Sequence, residues 1–488
     1  MTEVTSAFIL DRIRGKIILN WDKIRVKILR RKYISNLNHW INDKKRKPLV
    51  IRGARQVGKS TLVRLFAAER GLRLLEINLE RHKGMNGVFA SLNMKNILSA
   101  LEDVVGKSID PKNDLLFLDE IQATPQALAA LRYFYEELPE LPVIGAGSLL
   151  EFSFLDEKFS VPVGRVEYLH VFPLIFTEFL AAVGETHLAQ KITNFRFTDD
   201  DISLWNELLH EKLMVLLREY QMVGGMPEAV QAFVDKSSPK KIQKIQQAIL
   251  ATYQDDFVKY ARQSDWQRLL QTFQRVPGIV GQKVKYSEID KGEKAANIRR
   301  CLDLLNHARI IDAVHHSDCS GLPIASMKDP SIFKLYFLDV GLLNAMQKVP
   351  WSMDPHTWEA RFQGVQSEQF VAQQILGSEE SQARPELYYW LRDGQKGNAE
   401  VDFVIQTGDR IVPVEVKSSK AGHLKSIQQF VARKKSPVAV RFNTGLPKRE
   451  SITQNIISPE VGRRIHYTLV TLPLYLAECL GRIDCATD

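Results

Sequence analysis

A short loop near the N-terminus constrains the fold more than any other part of this sequence. Residues 53–60 spell G-A-R-Q-V-G-K-S, which fits the phosphate-loop pattern G-x-x-x-x-G-K-S. Its glycines let backbone N–H groups turn around a β-phosphate, Lys59 adds a positive charge at the β- and γ-phosphates, and Ser60 offers a hydroxyl to Mg²⁺. An apolar strand at 48–51 precedes the loop and a helix at 61–68 follows it, so a helix N-terminus would point at an anion. The residues that we predict to bind the nucleotide here are Gly53, Ala54, Arg55, Gln56, Val57, Gly58, Lys59, Ser60 and Thr61.

A second segment carries two acids at the end of an apolar run. Residues 115–118 are Leu-Leu-Phe-Leu, and Asp119 and Glu120 follow them directly. This pattern predicts a buried parallel strand whose carboxyl end lies beside the phosphates. Asp119 would bind the same Mg²⁺ as Ser60, and Glu120 would orient and polarise the attacking water.

Two further polar residues have two interpretations each. Ser148 follows an apolar strand at 141–146 and would face the γ-phosphate, or it is a simple turn serine. Arg165, in the sequence Val-Gly-Arg-Val, would be a finger that reaches the γ-phosphate of a neighbouring subunit, or it is a surface loop residue. The sequence alone leaves both pairs of interpretations open.

These motifs belong to a wider resemblance. The chain resembles the AAA+ ATPases of bacteria and archaea that carry a conserved C-terminal domain of unknown function. The resemblance implies ATP hydrolysis with Mg²⁺, a homo-oligomer whose sites are completed between subunits, and a Gly-x-Pro turn in which Pro227 packs near the adenine. A plain helix-terminating turn is the alternative for Gly225-Met226-Pro227. The segments that carry the resemblance are 53–60, 115–122, 173–179, 224–228 and 338–342.

Composition and charge limit the class of protein. A length of 488 residues predicts about three domains. No apolar run reaches the roughly 18 residues that a membrane span needs, and the four cysteines lack metal-binding spacing, so we expect a cytoplasmic protein without structural zinc. Residues 11–47 have a net charge of +10 and residues 413–450 a net charge of +7. These stretches suggest a nucleic-acid partner, DNA being favoured, although solvated helix faces or a membrane surface would also explain them.

The middle of the chain predicts helices and then a small mixed module. Residues 186–275 are mostly of helical character, whereas 276–345 predict two helices, one at 295–307, followed by strands at 309–314 and 333–338. This is the order of a winged helix. Asn297, Arg299 and Arg300 would lie on its exposed face and contact nucleic acid, but a module used only for packing is slightly preferred.

The C-terminal part holds a second group of chemical residues. Strands predicted at 400–405 and 411–417 would place Asp402 beside Glu415 and Lys417, and a helix at 364–376 could bring Glu368 alongside. This arrangement looks like the restriction-endonuclease-like nuclease core. It predicts a divalent metal held by Glu368, Asp402 and Glu415, with Lys417 as a catalytic residue that stabilises charge. A surface hairpin with solvated charges is the alternative.

The predicted fold is α/β: a P-loop AAA+ core with a parallel sheet, a helical lid, a winged-helix-like module and a C-terminal restriction-endonuclease-like domain. The predicted function is ATP hydrolysis by an AAA+ ATPase that acts on nucleic acid through its nuclease-like domain. The alternative is a nucleotide-controlled signalling or scaffold switch whose C-terminal domain only binds a partner. The predicted boundaries are 1–47 for a basic helical segment, 48–185 for the core, 186–275 for the lid, 276–345 for the module and 346–488 for the nuclease-like domain.

Overall fold

The described part of the chain contains two β-sheets, one with five strands and one with eight, and confirms the predicted α/β class with a parallel sheet. Part of the predicted basic segment, 1–28, and residues 418–423 of the second basic stretch lie outside the described residues. The computed structural model describes residues 29–148, 150, 164–261, 263–351, 364–379, 382–392, 399–417, 424–458 and 461–486.

The five-stranded sheet has the order β2-β3-β4-β1-β5, and every neighbouring pair is parallel. Ala146 pairs with both Ile51 and Asp119, so the loops that follow β1, β3 and β4 leave the sheet at one edge. All six residues of β3 are buried, as the apolar run predicts for a central strand. The strands are β1 (Leu49–Arg52), β2 (Arg73–Asn78), β3 (Asp114–Asp119), β4 (Val143–Ala146) and β5 (Glu167–His170).

Helices cover both faces of this sheet. Leu115 and Phe117 pack into the cluster that contains Phe66 of α2, whereas Leu116 and Leu118 pack into the one that contains Leu131 of α5. This separation follows from the alternation of side chains along a strand. The helices are α1 (Ile34–Asn42), α2 (Lys59–Arg70), α3 (Met85–Ala90), α4 (Met94–Val105) and α5 (Pro125–Glu137).

A helical region follows and confirms the helical character predicted for 186–275. α9 and α10 are separated by a tight turn, in which Gly224 has a φ of 76°. Whether the region acts as a lid stays a prediction. Its helices are α6 (Phe176–Ala182), α7 (Thr186–Thr193), α8 (Asp199–Ser203), α9 (Glu207–Val223), α10 (Pro227–Val234), α11 (Pro239–Tyr260) and α12 (Gln263–Arg275).

The eight-stranded sheet has the order β12-β13-β11-β10-β9-β8-β6-β7. Its strands are β6 (Ile311–Ser317), β7 (Lys328–Phe337), β8 (Tyr388–Arg392), β9 (Ala399–Thr407), β10 (Arg410–Val416), β11 (Val438–Asn443), β12 (Lys448–Ser458) and β13 (Val461–Pro473). Its helices are α13 (Tyr286–Ile289), α14 (Ala295–His307), α15 (Val340–Met346), α16 (Val365–Ser378), α17 (Lys425–Lys434) and a 3₁₀ helix at Leu474–Ala486.

The predicted order of two helices and two strands is present as α13, α14, β6 and β7. β6 also pairs with β8, so this ribbon belongs to the same sheet as the C-terminal strands. Arg300 on α14 lies 3.3 Å from Asp265 and Asn297 donates to Glu293, so charges on this face are partly paired within the chain. A winged-helix role in nucleic-acid binding stays a prediction.

One hydrophobic cluster joins the two sheets. It runs from Phe117 in the first sheet to Val414 in the second, through α6, α9 and α16. The rings of Phe176 and Tyr220 lie 6.4 and 5.7 Å from the ring of Phe370 on α16. Movement of α16 would therefore disturb helices that pack against the first sheet.

Candidate functional site

The loop after β1 has the conformation that a phosphate loop needs. Gly53 and Gly58 have φ angles of 149° and 91°, and a Cβ atom on Gly53 would lie 2.2 Å from the carbonyl oxygen of Val171. Glycine is therefore required at Gly53 for close packing as well as for the turn. Gln56 also has a positive φ, 63°, whereas Ala54 and Val57 are buried beneath the loop. α2 begins inside the loop, and its free N–H groups lie at the anion-binding end.

Lys59 closes over this loop. Its Nζ donates to the carbonyl oxygens of Gly53 and Ala54, at 3.0 and 2.8 Å. Burial lowers the pKa of Lys59 to about 8, although the carboxylates of Glu120 and Asp119 act in the opposite direction. A buried ammonium whose partners are neutral carbonyls is well prepared to bind an anion.

Ser60 and Asp119 meet as the sequence predicts. The Ser60 hydroxyl donates to Oδ1 of Asp119 at 3.0 Å, and Asn78 lies 3.4 Å from Oδ2. Asp119 is only 8% exposed, and burial raises its pKa. Hydroxyl and carboxylate oxygens are the ligands that Mg²⁺ prefers, so these two residues fit the ion.

Gln122, which follows β3, and Ser148, which follows β4, each bury a polar atom without a hydrogen-bond partner. Glu120 has a φ of 52°, which is uncommon for a residue other than glycine, and its Oε2 accepts from Gln122 Nε2 at 2.5 Å. The Ser148 hydroxyl and Oε1 of Gln122 are buried without a partner. Such atoms in a native structure call for an explanation, and a phosphate or water at this edge would supply one.

Residues that are distant in sequence also contact the phosphate loop, and sequence reasoning missed most of them. Arg31 donates to the carbonyl oxygen of Val57 at 2.8 Å, and Tyr253 donates to that of Arg55 at 3.0 Å. The predicted residue Pro227 lies against the loop, its Cγ 3.4 Å from the place of a Cβ on Gly58. No local pattern marks Arg31 or Tyr253, because their partners are distant along the chain.

The side chain of Arg55 leaves the loop and pairs with Asp256 on α11 at 2.8 Å, whereas the side chain of Thr61 is exposed at the start of α2. Among the other predicted residues of the loop, Ala54, Val57 and Lys59 are buried and Gln56 is exposed.

Arg165 lies apart from these residues. It precedes β5, whose first residue, Glu167, pairs with Leu49 at the start of β1, whereas the phosphate loop follows the end of β1. At about 3.3 Å per strand residue, the two edges are roughly 10 Å apart. Arg165 is ion-paired with Glu136 at 2.9 Å, and both side chains are partly exposed. Arg165 therefore lies away from the phosphate loop of its own chain, and its role as a finger between subunits stays a prediction.

The C-terminal residues meet on β9 and β10. Phe403 pairs with Val414, so in an antiparallel ladder Asp402 comes opposite Glu415. Asp402 also accepts from the backbone N–H of Val416 at 2.8 Å. Glu415 is ion-paired with Lys417, and its other oxygen, Oε2, is buried without a hydrogen-bond partner.

A lysine that sequence reasoning missed completes this group, which we call the acidic cluster: Glu368, Glu400, Asp402 and Glu415 with Lys334 and Lys417. Lys334 on β7 is 2% exposed, is ion-paired with Glu400, and lies 3.8 Å from Glu368 and 4.0 Å from Asp402. Glu368 on α16 also accepts from Tyr336 at 2.9 Å. Four acids outnumber two lysines, so the group would have excess negative charge only if all four acids were ionised.

Burial raises the pKa of each central acid. It raises the pKa of Glu368 to about 8 and that of Glu415 to about 7, with repulsion from Asp402 adding to both, and it raises the pKa of Asp402 as well. Burial alone would lower the pKa of Lys334, but the surrounding carboxylates raise it overall. Among the described residues, no group of three or more His, Cys, Asp or Glu side chains is arranged to hold a metal ion.

A phosphate loop, a strand that ends in Asp-Glu and a parallel sheet between helices define the class of P-loop ATPases. Comparison with family models narrows the class, because residues 45–180 match an AAA domain. This part of the chain is therefore similar to an AAA domain. Residues 214–352 and 363–457 match two domains of unknown function, DUF8612 and DUF4143.

Similar solved structures are distant. The Walker-type ATPase PABY2304 of Pyrococcus abyssi shares 16% identity, with a TM-score of 0.40 over 66% of this chain and 97% of its own. A variant of RuvB from Thermotoga maritima shares 15% identity, with a TM-score of 0.25 over 57% of this chain and 87% of its own. Another Thermotoga maritima RuvB structure, titled a Holliday junction branch migration motor, has the same identity and coverages with a TM-score of 0.24. These values carry no inference about function.

No curated protein matches the chain. None of the helices in the described part of the chain is long and apolar enough to cross a membrane.

Proposed function

We propose that this chain binds ATP with Mg²⁺ at the carboxyl edge of the five-stranded sheet and hydrolyses it there. The observation that carries the proposal is the 3.0 Å contact between the Ser60 hydroxyl and the Asp119 carboxylate, directly beside a phosphate loop. Mg²⁺ bound by these two residues would neutralise charge on the β- and γ-phosphate oxygens.

Each remaining residue of the site has a defined task. Lys59 exchanges its hydrogen bonds to the loop carbonyl oxygens for hydrogen bonds to phosphate oxygens. Its positive charge then faces an anion instead of neutral groups. Glu120 orients the attacking water and accepts its proton while the water oxygen attacks the γ-phosphorus and the bond to ADP breaks. Gln122 holds the Glu120 carboxylate, and the Ser148 hydroxyl donates to a γ-phosphate oxygen.

Replacement of Lys59 tests this site. Lys59→Ala should weaken ATP binding about 10- to 100-fold, because a charge-assisted hydrogen bond is lost. The matched control is Lys107→Ala, an exposed lysine in the connection between α4 and β3, at the other edge of the sheet. Calorimetric titration with a non-hydrolysable ATP analogue and Mg²⁺ measures both. Equal affinities of the two variants would refute the assignment.

A second proposed function concerns nucleic acid. We propose that Asp402 and Glu415, with Glu368 nearby, bind a divalent cation at a nuclease-like site, and that Lys417 stabilises charge on the phosphodiester. The cation would act as a Lewis acid at a phosphate oxygen. Support comes from the cross-strand placement of Asp402 and Glu415, and from the buried Glu415 Oε2 that has no hydrogen-bond partner.

Cleavage of plasmid DNA tests the second function. Asp402→Asn and Lys417→Met should abolish Mg²⁺- or Mn²⁺-dependent nicking while ATP hydrolysis continues. The controls are Asp409→Asn, whose side chain is 95% exposed on the turn between β9 and β10, and Lys425→Met, an exposed lysine on α17. Nicking that survives Asp402→Asn would remove the site from the mechanism.

Salt dependence tests the nucleic-acid partner itself. If the basic stretches 11–47 and 413–450 bind phosphates, affinity should fall steeply as salt rises, since each neutralised phosphate releases counterions. A truncation that removes the basic N-terminus should stop at residue 28, because Arg31 contacts the phosphate loop. Affinity that stays flat between low and physiological salt would contradict phosphate contacts.

The alternative function is a nucleotide-controlled switch or scaffold. It is favoured if the wild-type protein hydrolyses ATP but never cleaves nucleic acid with any divalent metal. Mn²⁺ titration of the wild type and of Asp402→Asn then shows whether the acidic cluster still binds a cation.

A further inference from the structure

Two sequence motifs that the proposed function does not use meet inside the protein. The turn at 224–228 and the segment 338–342 are held together by Asp339, which is fully buried. Its Oδ2 accepts from the N–H of Gly225 at 2.6 Å and its Oδ1 from the N–H of Leu342 at 3.0 Å. A Cβ on Gly224 would lie 2.1 Å from Asp339 Oδ1, and one on Gly341 would lie 2.5 Å from the carbonyl oxygen of Val223. The glycines allow this close approach.

The same turn contacts the segment before α6. The carbonyl oxygen of Gly225 accepts from the N–H of Leu174 at 2.7 Å, and a Cβ on Gly225 would lie 2.1 Å from the Leu174 oxygen. The turn is therefore clamped between Leu174 and Asp339. Two residues later, Pro227 begins α10 and lies against Gly58 of the phosphate loop. The backbone of the turn therefore determines where Pro227 meets the loop.

Gln373 on α16 secures the clamp from the C-terminal side. Its Nε2 donates to Asp339 Oδ2 at 2.9 Å and to the Tyr220 hydroxyl at 3.0 Å, and its Oε1 accepts from the N–H of Val340 at 2.9 Å. The Tyr220 hydroxyl donates onward to the Leu174 oxygen at 2.6 Å. Gln373 thus bonds directly to Asp339 on one side of the turn, and through Tyr220 to Leu174 on the other side.

We propose that Asp339 and Gln373 are positioning residues for the nucleotide site, which act by holding the Gly224–Pro227 turn so that Pro227 stays against the phosphate loop. This inference rests on the proposed ATP site. It explains why both motifs accompany a phosphate loop in one chain. It also gives two parts of α16 different roles: the first turn places Glu368 in the acidic cluster, and Gln373 further along the helix holds the Gly224–Pro227 turn.

A matched pair of glutamines on α16 separates positioning from stability. Gln369 is as deeply buried as Gln373, but it bonds to the N–H and carbonyl of Phe337, at 2.7 Å each, and not to the turn. Gln373→Leu and Gln369→Leu should lower the melting temperature to a similar degree. Only Gln373→Leu should raise the Kd for the ATP analogue, by roughly 5- to 10-fold, with Gln369→Leu within twofold of wild type.

A double-mutant cycle tests the route through Pro227. Pro227→Ala should itself weaken binding, and in that background Gln373→Leu should cost less than twofold, because its effect passes through the same contact. Asp339→Asn replaces Gln373→Leu in the cycle if the latter does not fold, since Asn keeps the side-chain shape while changing its hydrogen bonds.

Two results would overturn the inference: equal effects of the two glutamine variants on ATP affinity, or an undiminished effect of Gln373→Leu beside Pro227→Ala. Both tests require that the wild-type protein binds the ATP analogue and that Lys59→Ala weakens this binding. If wild-type protein binds no nucleotide, the proposed ATP site fails first and this inference fails with it.

Discussion

Arg31 forms a buried ion pair with Glu178 on α6 and also bonds to the phosphate loop, so it is the clearest place to test the energetics of this fold. Arg31 and Glu178 have side chains that are 4% and 5% exposed, and their Nε and Oε1 atoms lie 2.9 Å apart. The guanidinium also donates to the carbonyl oxygens of Val57 and Phe172, at 2.8 and 2.6 Å. Arg31→Met removes all three bonds while keeping much of the side-chain volume.

The expected cost follows from burial. Removing one partner of a buried ion pair costs about 3–5 kcal/mol, because the remaining charge stays in a site closed to water. In the variant, Glu178 still accepts hydrogen bonds from the N–H groups of Lys32 and Ile175, at 2.8 and 3.0 Å. Because these bonds partly stabilise its charge, we expect the cost to stay inside this range. Lys212 and Glu185 form the control pair at 2.7 Å, with side chains 52% and 32% exposed, and breaking an exposed pair costs about 0–1 kcal/mol.

Scanning calorimetry of the full-length protein measures both variants. At roughly 2–4 °C per kcal/mol for a domain of 150–250 residues, Arg31→Met should lower the melting temperature of the unit that contains the five-stranded sheet by roughly 6–20 °C. Lys212→Met should lower it by at most about 4 °C. Glu178→Gln added to Arg31→Met should recover part of the loss, since no unpaired charge then remains buried. Equal shifts for Arg31→Met and Lys212→Met would refute the reasoning.

Two further predictions concern a buried acid and the exposed Arg165. Burial raises the pKa of Glu478 to about 7 from an ordinary 4.5, so the folded state retains a proton that the unfolded state loses, and this group's contribution to stability falls as pH rises from 4.5 to 7. Glu478→Gln should therefore be more stable than wild type by about 3 kcal/mol at pH 8 and equal to it near pH 4.5 in urea unfolding; a pH-independent difference would contradict the assignment. Arg165→Ala should lower ATP turnover with affinity kept, and mixing it with Glu120→Gln protein should restore activity; no recovery, with monomers at every concentration in ATP, would exclude a finger acting between subunits.

Local patterns predicted much of the fold and the centre of the nucleotide site. The phosphate loop and the buried strand that ends at Asp119 each consist of consecutive residues, so each can be recognised from a local pattern. The apolar spacing of 295–307 likewise predicted the helix that the structure has at Ala295–His307. β7 begins at Lys328, earlier than predicted, because Lys-Asp-Pro at its start lacks the apolar alternation of a strand.

Contacts between distant residues could not be predicted in this way. Arg31 and Glu178 are 147 residues apart, and Gly225 and Asp339 are 114 apart. Lys334 was missed because a single lysine in a strand resembles any exposed charge until the fold surrounds it with carboxylates. The two motifs at 224–228 and 338–342 were recognised by resemblance, but their contact through a buried carboxylate depends on how three segments pack.

The most direct test of the central claim is single-turnover hydrolysis of ATP by Glu120→Gln. If Glu120 accepts the proton of the attacking water, the variant should bind ATP with wild-type affinity and hydrolyse it about 10²- to 10⁴-fold more slowly, the range expected for loss of a general base. Glu140→Gln, an exposed acid at the other edge of the sheet, should hydrolyse ATP at the wild-type rate. A wild-type rate in Glu120→Gln would contradict the claim that the carboxyl edge of this sheet, with Glu120 as its base, is the site of ATP hydrolysis.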